Sequence, residues 1–281
     1  MSLKGFMRVI VVLTTVGWSS VASANLLTDL VAYWPMEETS GTRFDVVGSN
    51  DLTDNNTVTS AAGIRGNAAQ FTAANEEYFS LADNADVSMG DLSFTIAAWV
   101  FQTASTGTNQ IIIDKGDIGF TSSHEYILYD ADGPQSFIWL VANNSDVGPL
   151  LASSFGDPPT GEWIFLVGWH DAESDTVNIQ VNNGAVDSTS YAQGSWDSPH
   201  DLRIGVGHFA LGTEQFWNGL IDEVGIWKRT LTAEERRSLY EEPGVLDRET
   251  PSEPVIPEPA SLFLLGSGLL GLVGWRWRFF L

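Results

Sequence analysis

The chain is 281 residues long and 43% hydrophobic, with 36 acidic residues against 13 lysines and arginines, a formal net charge of −23. That apolar content suffices for the core of one large domain, whereas so acidic a surface repels phosphate backbones and argues against nucleic acid as a partner. No cysteine occurs, which removes disulfides, thiolate metal sites and cysteine nucleophiles together and leaves the fold to rely on its core.

In chain order, the first 24 residues read as a secretory signal peptide. Lys4 and Arg8 form its positive region, Val9 to Val16 is mostly apolar, and Ala22-Ser23-Ala24 is a small-x-small site for signal peptidase, with cleavage after Ala24. From Leu26 to Glu242 the pattern is that of strands. Leu92–Phe101, Ser136–Ala142 and Trp163–His170 are runs of β formers, and Thr176–Val181 alternates polar with apolar before the hairpin-turn signal Asn182-Asn183-Gly184. Alternation puts Trp163, Phe165, Val167 and Trp169 on one strand face, so Trp169 is expected to be buried. Recurring strands with turn residues between them predict an all-β sandwich or jelly roll.

One helix is expected, closing the domain. Thr232-Ala233-Glu234-Glu235 fits a capping box, Leu231, Glu235 and Leu239 follow at helical spacing, and Pro243-Gly244 is a stop signal. The proline- and glutamate-bearing stretch from Pro243 reads as a linker over 243–256, without helix interior or core packing. Ala260 to Trp275 is nearly all apolar and is followed by Arg276 and Arg278. At ~1.5 Å per residue that run spans ~24 Å, enough for a transmembrane helix only with help from flanking residues. Trp275 and Trp277 suit the interface, and the arginines should stay cytoplasmic.

Two resemblances follow from these motifs. Pro257-Glu258-Pro259, the apolar run and the basic finish at Arg276 and Arg278 resemble the PEP-CTERM sorting signal of Gram-negative bacteria, over residues 257–281. That family implies an exosortase partner, which removes the tail in the inner membrane and passes the protein to the envelope or matrix. The dense arginine cluster usual there is replaced here by Arg-Trp-Arg and then Phe279-Phe280-Leu281. The central domain, residues 26–242, is similar to laminin-G-like jelly rolls of concanavalin A type. The matching segments are Val31-Ala32-Tyr33-Trp34-Pro35-Met36-Glu37, Gly66-Asn67-Ala68-Ala69-Gln70-Phe71, Phe94 to Val100, Trp163 to Asp171, and Trp217 to Trp227 with Leu231 to Glu235. The resemblance implies a sandwich of two antiparallel sheets. It does not by itself imply a function, since the fold hosts lectins, adhesins, hydrolases and inert modules.

Related jelly rolls hold a structural calcium between first and last strands. Carried over, Asp222 would be the side-chain ligand, with carbonyls near Glu37 and Gly66 completing the Ca²⁺ site; otherwise Asp222 caps a loop or pairs with Arg43 or Arg65. Asp45, Asn50 and Asp51 offer a second site or ordinary turn chemistry. For catalysis, Glu173-Ser174-Asp175-Thr176-Val177-Asn178 lacks the last glutamate of a laminarinase-like E-x-D-x-x-E and falls in an expected hairpin turn; no catalytic residue is assigned. Trp34, Trp99 and Trp163 occupy core positions of the resembled family. Trp139, Trp196 and Trp217 are then the candidates to stack on a sugar, and Trp196, in GSWDSPHD, is the one expected to be exposed. The leading reading is an exported, non-enzymatic module that binds carbohydrate or exopolysaccharide. A structural or adhesive matrix protein is the alternative, and a divergent glycoside hydrolase comes third.

Overall fold

The computed structural model describes residues 25–249 except 117–122, 133–136, 146 and 210–212. The expected signal peptide with Ala22 and Ala24, and the tail with Pro257, Glu258, Pro259, Arg276 and Arg278, lie outside the described residues.

The strands are, in order, β1 (Leu30–Trp34), β2 (Thr53–Asn55), β3 (Thr59–Ala62), β4 (Asn67–Phe71), β5 (Tyr78–Leu81), β6 (Phe94–Gln102), β7 (Gln110–Gly116), β8 (His124–Asp130) and β9 (Phe137–Ala142). They continue with β10 (Val147–Leu151), β11 (Trp163–Asp171), β12 (Thr176–Val181), β13 (Val186–Ser190), β14 (Leu202–Ile204), β15 (Val206–Phe209), β16 (Thr213–Phe216) and β17 (Gly219–Trp227). Two helices follow, α1 (Ala233–Glu241) and α2 (Val245–Glu249). The larger sheet runs β13-β12-β11-β6-β17-β4-β3, with β1 also on β17, and the second runs β10-β9-β8-β7-β14-β5-β2. The pairings within both sheets are antiparallel, as in β11 on β6 (Phe165 opposite Trp99) and β8 on β9 (Leu128 opposite Trp139). This is the expected jelly-roll sandwich, and the expected hairpin turn at Asn182-Asn183 joins β12 to β13.

Period-2 alternation explains the layers. In β6, Ile96, Ala98 and Val100 face the second sheet and meet Phe79, Tyr126, Leu128 and Trp139 in the main core. The intervening Ala97 and Trp99 point the other way, into a second buried cluster with Phe165, Val167 and Trp169 of β11. A strand buried on both faces reads as an unbroken apolar run, which is why Phe94–Phe101 shows no alternation in its letters. Trp169 is buried as expected, and the reason is that second layer. Its roof is Leu26, α1 and α2: Trp99 stacks on Tyr240 at 5.7 Å, and the Arg236 guanidinium lies 4.3 Å from the Trp169 ring.

The roof corrects the expectation of a linker from residue 243. The capping box at Thr232 and Glu235 forms as anticipated, but Pro243-Gly244 is only a turn, with Val245 N–H donating to the Glu242 carbonyl, and the chain re-enters a helix. Leu246 is buried in the outer cluster. Proline ends one helix without ending the domain, since its missing N–H costs nothing outside a helix interior.

Candidate functional site

A β-bulge on β17 builds the first polar cluster. Its register with β6 shifts between Asp222 and Gly225, and Glu223 takes φ 53°. Ile221 and Val224 thereby both serve the main core, leaving Asp222 and Glu223 to the outer layer, both buried. Asp222 Oδ2 accepts the Ile64 N–H at 3.0 Å and Oδ1 the Glu223 N–H at 2.9 Å. The guanidinium groups of its other expected partners are engaged elsewhere. Arg65 binds the Gly244 carbonyl and Asp247, and Arg43 reaches the carbonyls of Gly41 and Thr59. Asp222 therefore caps the loop between β3 and β4. Burial, with the adjacent Glu223 charge, pushes its carboxyl up to about 8. Glu223 is pushed up to about 7 by burial, against the opposing Tyr33 hydroxyl bond, and also accepts the Gly244 N–H at 3.1 Å.

Asn67 touches both neighbourhoods, Glu37 with Gly66 on one side and Gly63 with Asp222 on the other. The Asn67 N–H donates to Glu37 Oε2 at 2.9 Å and its side-chain amide to the Glu37 carbonyl at 2.8 Å. Gly66, at φ 60°, lies against the Glu37 carboxylate, where any side chain would collide. The Asn67 carbonyl and Asp222 Oδ2 in turn converge on Gly63, 2.5 and 2.4 Å from where a Cβ would stand. The donors are all oxygen, which fits a hard cation such as Ca²⁺ and not a soft metal. Among the described residues no group of three His, Cys, Asp or Glu gathers, so carbonyls would have to supply part of any shell.

The tryptophans divide sharply. Trp139 and Trp217 are fully buried in the main core and are withdrawn as ligand residues. Trp139 packs against Phe94 and Tyr126 and fills the space over Gly168, while Trp217 donates its Nε1–H to the Leu220 carbonyl. Trp34 is in the same core; Trp99 and Trp163 belong to the outer layer. Trp196 alone of the three candidates keeps an exposed part. Its loop is pinned by four bonds: Ser195 N–H to Gly90, Trp196 N–H to Ala142, Ser198 N–H to Glu125 Oε2, and Lys115 Nζ to the Ser198 carbonyl. The Ala142 bond sets it beside Asn143, whose amide donates to Gln193 at 3.4 Å on the same rim.

Sequence reasoning missed the charges behind this loop. Lys115 Nζ, fully buried, lies 3.0 Å from Glu125 Oε2 and 2.8 Å from Asp83 Oδ1, and Asp114 pairs with His124 Nδ1 at 2.6 Å. Burial pushes the Glu125 carboxyl up, opposed by Lys115. Asp45 proves to be turn chemistry: its two oxygens accept the N–H groups of Tyr33, Val47 and Asn50 and the Asn50 amide. Glu173, Ser174 and Asp175 form the exposed turn between β11 and β12, as expected.

Against known proteins, residues 73–235, more than half of the chain, match the family described as the concanavalin A-like lectin/glucanases superfamily, and residues 255–278 match the PEP-CTERM protein-sorting motif. No curated protein matches in sequence. Among solved structures, the binding domain of Paraclostridial Mosquitocidal Protein 1 superposes with TM-score 0.61 at 14% identity, over 76% of this chain and 52% of that one. The present chain thus spans about half the length of that toxin domain. Domain 4 of AbnA, an extracellular GH43 arabinanase from Geobacillus stearothermophilus in complex with arabinotriose, gives 0.54 at 17% identity, over 75% of this chain and 98% of that one. The botulinum neurotoxin serotype D binding domain gives 0.56 at 13%, over 79% and 53%. At such identities the likeness is one of fold.

Proposed function

This chain belongs to the concanavalin A-like lectin/glucanases superfamily and carries a PEP-CTERM sorting motif, and from that premise we propose that it is an exported, non-enzymatic module that binds an extracellular polysaccharide. The observation that carries the reading is the Trp196 loop. An indole with an exposed part stands on a segment fixed by four hydrogen bonds, beside the amides of Asn143 and Gln193. Aromatic faces stack on the apolar side of a sugar ring while amides meet its hydroxyls, and a fixed loop lowers the ordering cost of binding. The arabinotriose held by the arabinanase domain and the binding role in the toxin domains' names lend support from the fold. The turn position of Glu173 and Asp175 speaks against the hydrolase reading, because two carboxylates must flank a bound glycosidic bond.

Export starts with signal peptidase cutting after Ala24, and exosortase then acts on the tail that begins at Pro257-Glu258-Pro259, delivering the domain to the envelope or matrix. A structural Ca²⁺ held by Asp222 and the Asn67 carbonyl would bind the β3–β4 loop to β17 and keep the buried Asp222 carboxylate ionised. The test is a glycan array that includes bacterial exopolysaccharides, probed with the full chain in detergent micelles, with calcium and EDTA arms. Binding that Trp196→Ala abolishes supports the reading. A folded protein that binds no glycan overturns it in favour of a matrix component that recognises proteins or itself.

A further inference from the structure

We infer that the binding surface continues from the Trp196 loop into a second, polar depression and the tip of the loop 43–52, and so takes an internal stretch of a polysaccharide several sugars long. The inference rests on the carbohydrate reading above and adds the extent of ligand that is held.

The depression has a volume of about 350 Å³ and is lined by Ser49, Asn50, Asn84, Ala85 and Asp86. Its wall is already built. The Asn84 amide donates to Asn50 Oδ1 at 3.2 Å, the Asn50 amide to Asp86 Oδ2 at 3.3 Å, and Asn84 Oδ1 accepts the Asp86 N–H at 2.8 Å. With the amide protons engaged inside the wall, the wall presents mainly acceptors, which suit a ligand rich in hydroxyl donors. Asp86 is the one carboxylate in the lining, too few for a divalent cation, and the Lys228 ammonium on the Ala85 carbonyl puts a donor at its edge.

The same loop carries an apolar tip. Phe44, Val46 and Val47 are 55%, 43% and 38% exposed, three of the five large apolar side chains most open to solvent among the described residues. The Arg43–Leu52 bridge and the Asp45 bonds close this loop, so the tip stays beside Ser49 and Asn50. Phe44 adds an exposed ring to the same loop as Ser49 and Asn50, and a ring face with hydrogen-bonding groups is the pairing that a pyranose needs.

Continuity with Trp196 comes from Lys115. Its ammonium holds Asp83, next to Asn84, and the carbonyl of Ser198, two residues beyond Trp196. One buried side chain thus links the loop that carries Asn84 to the loop that carries Trp196.

The experiment uses the full chain in detergent micelles, run through native gels containing soluble arabinan, laminarin or dextran. For the polymer that retards it, calorimetry then measures affinity for its fragments of two to eight sugars. Wild type should gain at least about tenfold from the shortest to the longest fragment, the scale of one or two added hydrogen-bonded contacts. The double variant Phe44→Ser/Asp86→Ala, exposed at both positions and checked for an unchanged melting temperature, should keep the affinity for short fragments and lose that gain. Trp196→Ala should weaken all lengths. A gain undiminished in the double variant overturns this inference alone. Retardation by none of the polymers, or unaltered by Trp196→Ala, overturns the carbohydrate reading as well.

Discussion

Replacing Asp130 by asparagine should stabilise the protein at neutral pH and leave it unchanged in acid. Asp130 ends β8, is 8% exposed, and accepts the Gln102 side-chain amide at 2.7 Å. Burial pushes its carboxyl from 3.8 up to about 6; the Gln102 bond opposes this, and the charges of Asp157 and Asp132 add to it. A folded-state value above the unfolded one means that ionisation works against folding. The protein is therefore spared this penalty below about pH 4, loses stability as pH rises towards about 6, and then levels off. The displacement from 3.8 to about 6 corresponds to about 3 kcal/mol at ~1.4 kcal/mol per tenfold. Screening at the sheet rim reduces what is measured to about 1–3 kcal/mol. Asparagine keeps an oxygen for Gln102 and cannot ionise. Urea unfolding followed by tryptophan fluorescence at about pH 3.5, 5 and 7 should show the variant's advantage grow across that window. A difference that is flat with pH, or a variant less stable at neutral pH, would refute the reasoning.

Three further outcomes follow from packing and charge. Glu125→Ala leaves the fully buried Lys115 ammonium without its fully buried carboxylate partner and should cost about 3–5 kcal/mol in urea unfolding. Gly168→Ala places a Cβ 2.5 Å from the Trp139 ring, which the core holds from both sides, and should cost about 1–3 kcal/mol, read as a lowered thermal midpoint. Thr232→Ala removes the oxygen that accepts the Glu235 N–H at 3.2 Å and should cost about 1 kcal/mol, with hydrogen exchange faster in α1 than in the sheets.

The sandwich was legible because its strands are runs of β formers and its turns carry Asn and Gly. Strands β7 and β8 were not, because Asp114, Lys115, His124 and Glu125 interrupt the apolar pattern, and only their mutual pairing in space makes them buriable. Alternation grouped Trp163, Phe165, Val167 and Trp169 correctly, yet periodicity does not say what covers a face, so the roof of α1, α2 and Leu26 went unseen. The same gap explains Trp217 and Trp139, the latter buried by partners such as Gly168 and Phe94 far along the chain. Asp222, Glu37 and Gly66 were singled out by family resemblance alone, and the bulge that turns Asp222 outward has no signature in the letters.

The meeting of both ends of the fold in one layer has a mechanical meaning. Leu26 is tied by its carbonyl to Trp227 of β17, and Leu246 of α2 sits in the same cluster. A pull on the chain beyond Glu249 enters through α2, the Arg65–Asp247 pair and the Gly244 bond to Glu223. It thus reaches β17, a strand flanked by β6, β4 and β1, and not an edge strand that would unzip. The weakest link in that load path is the short helix. Under tension α2 should let go first and lengthen the tether, a mechanical fuse that leaves the sandwich and the loops it carries intact.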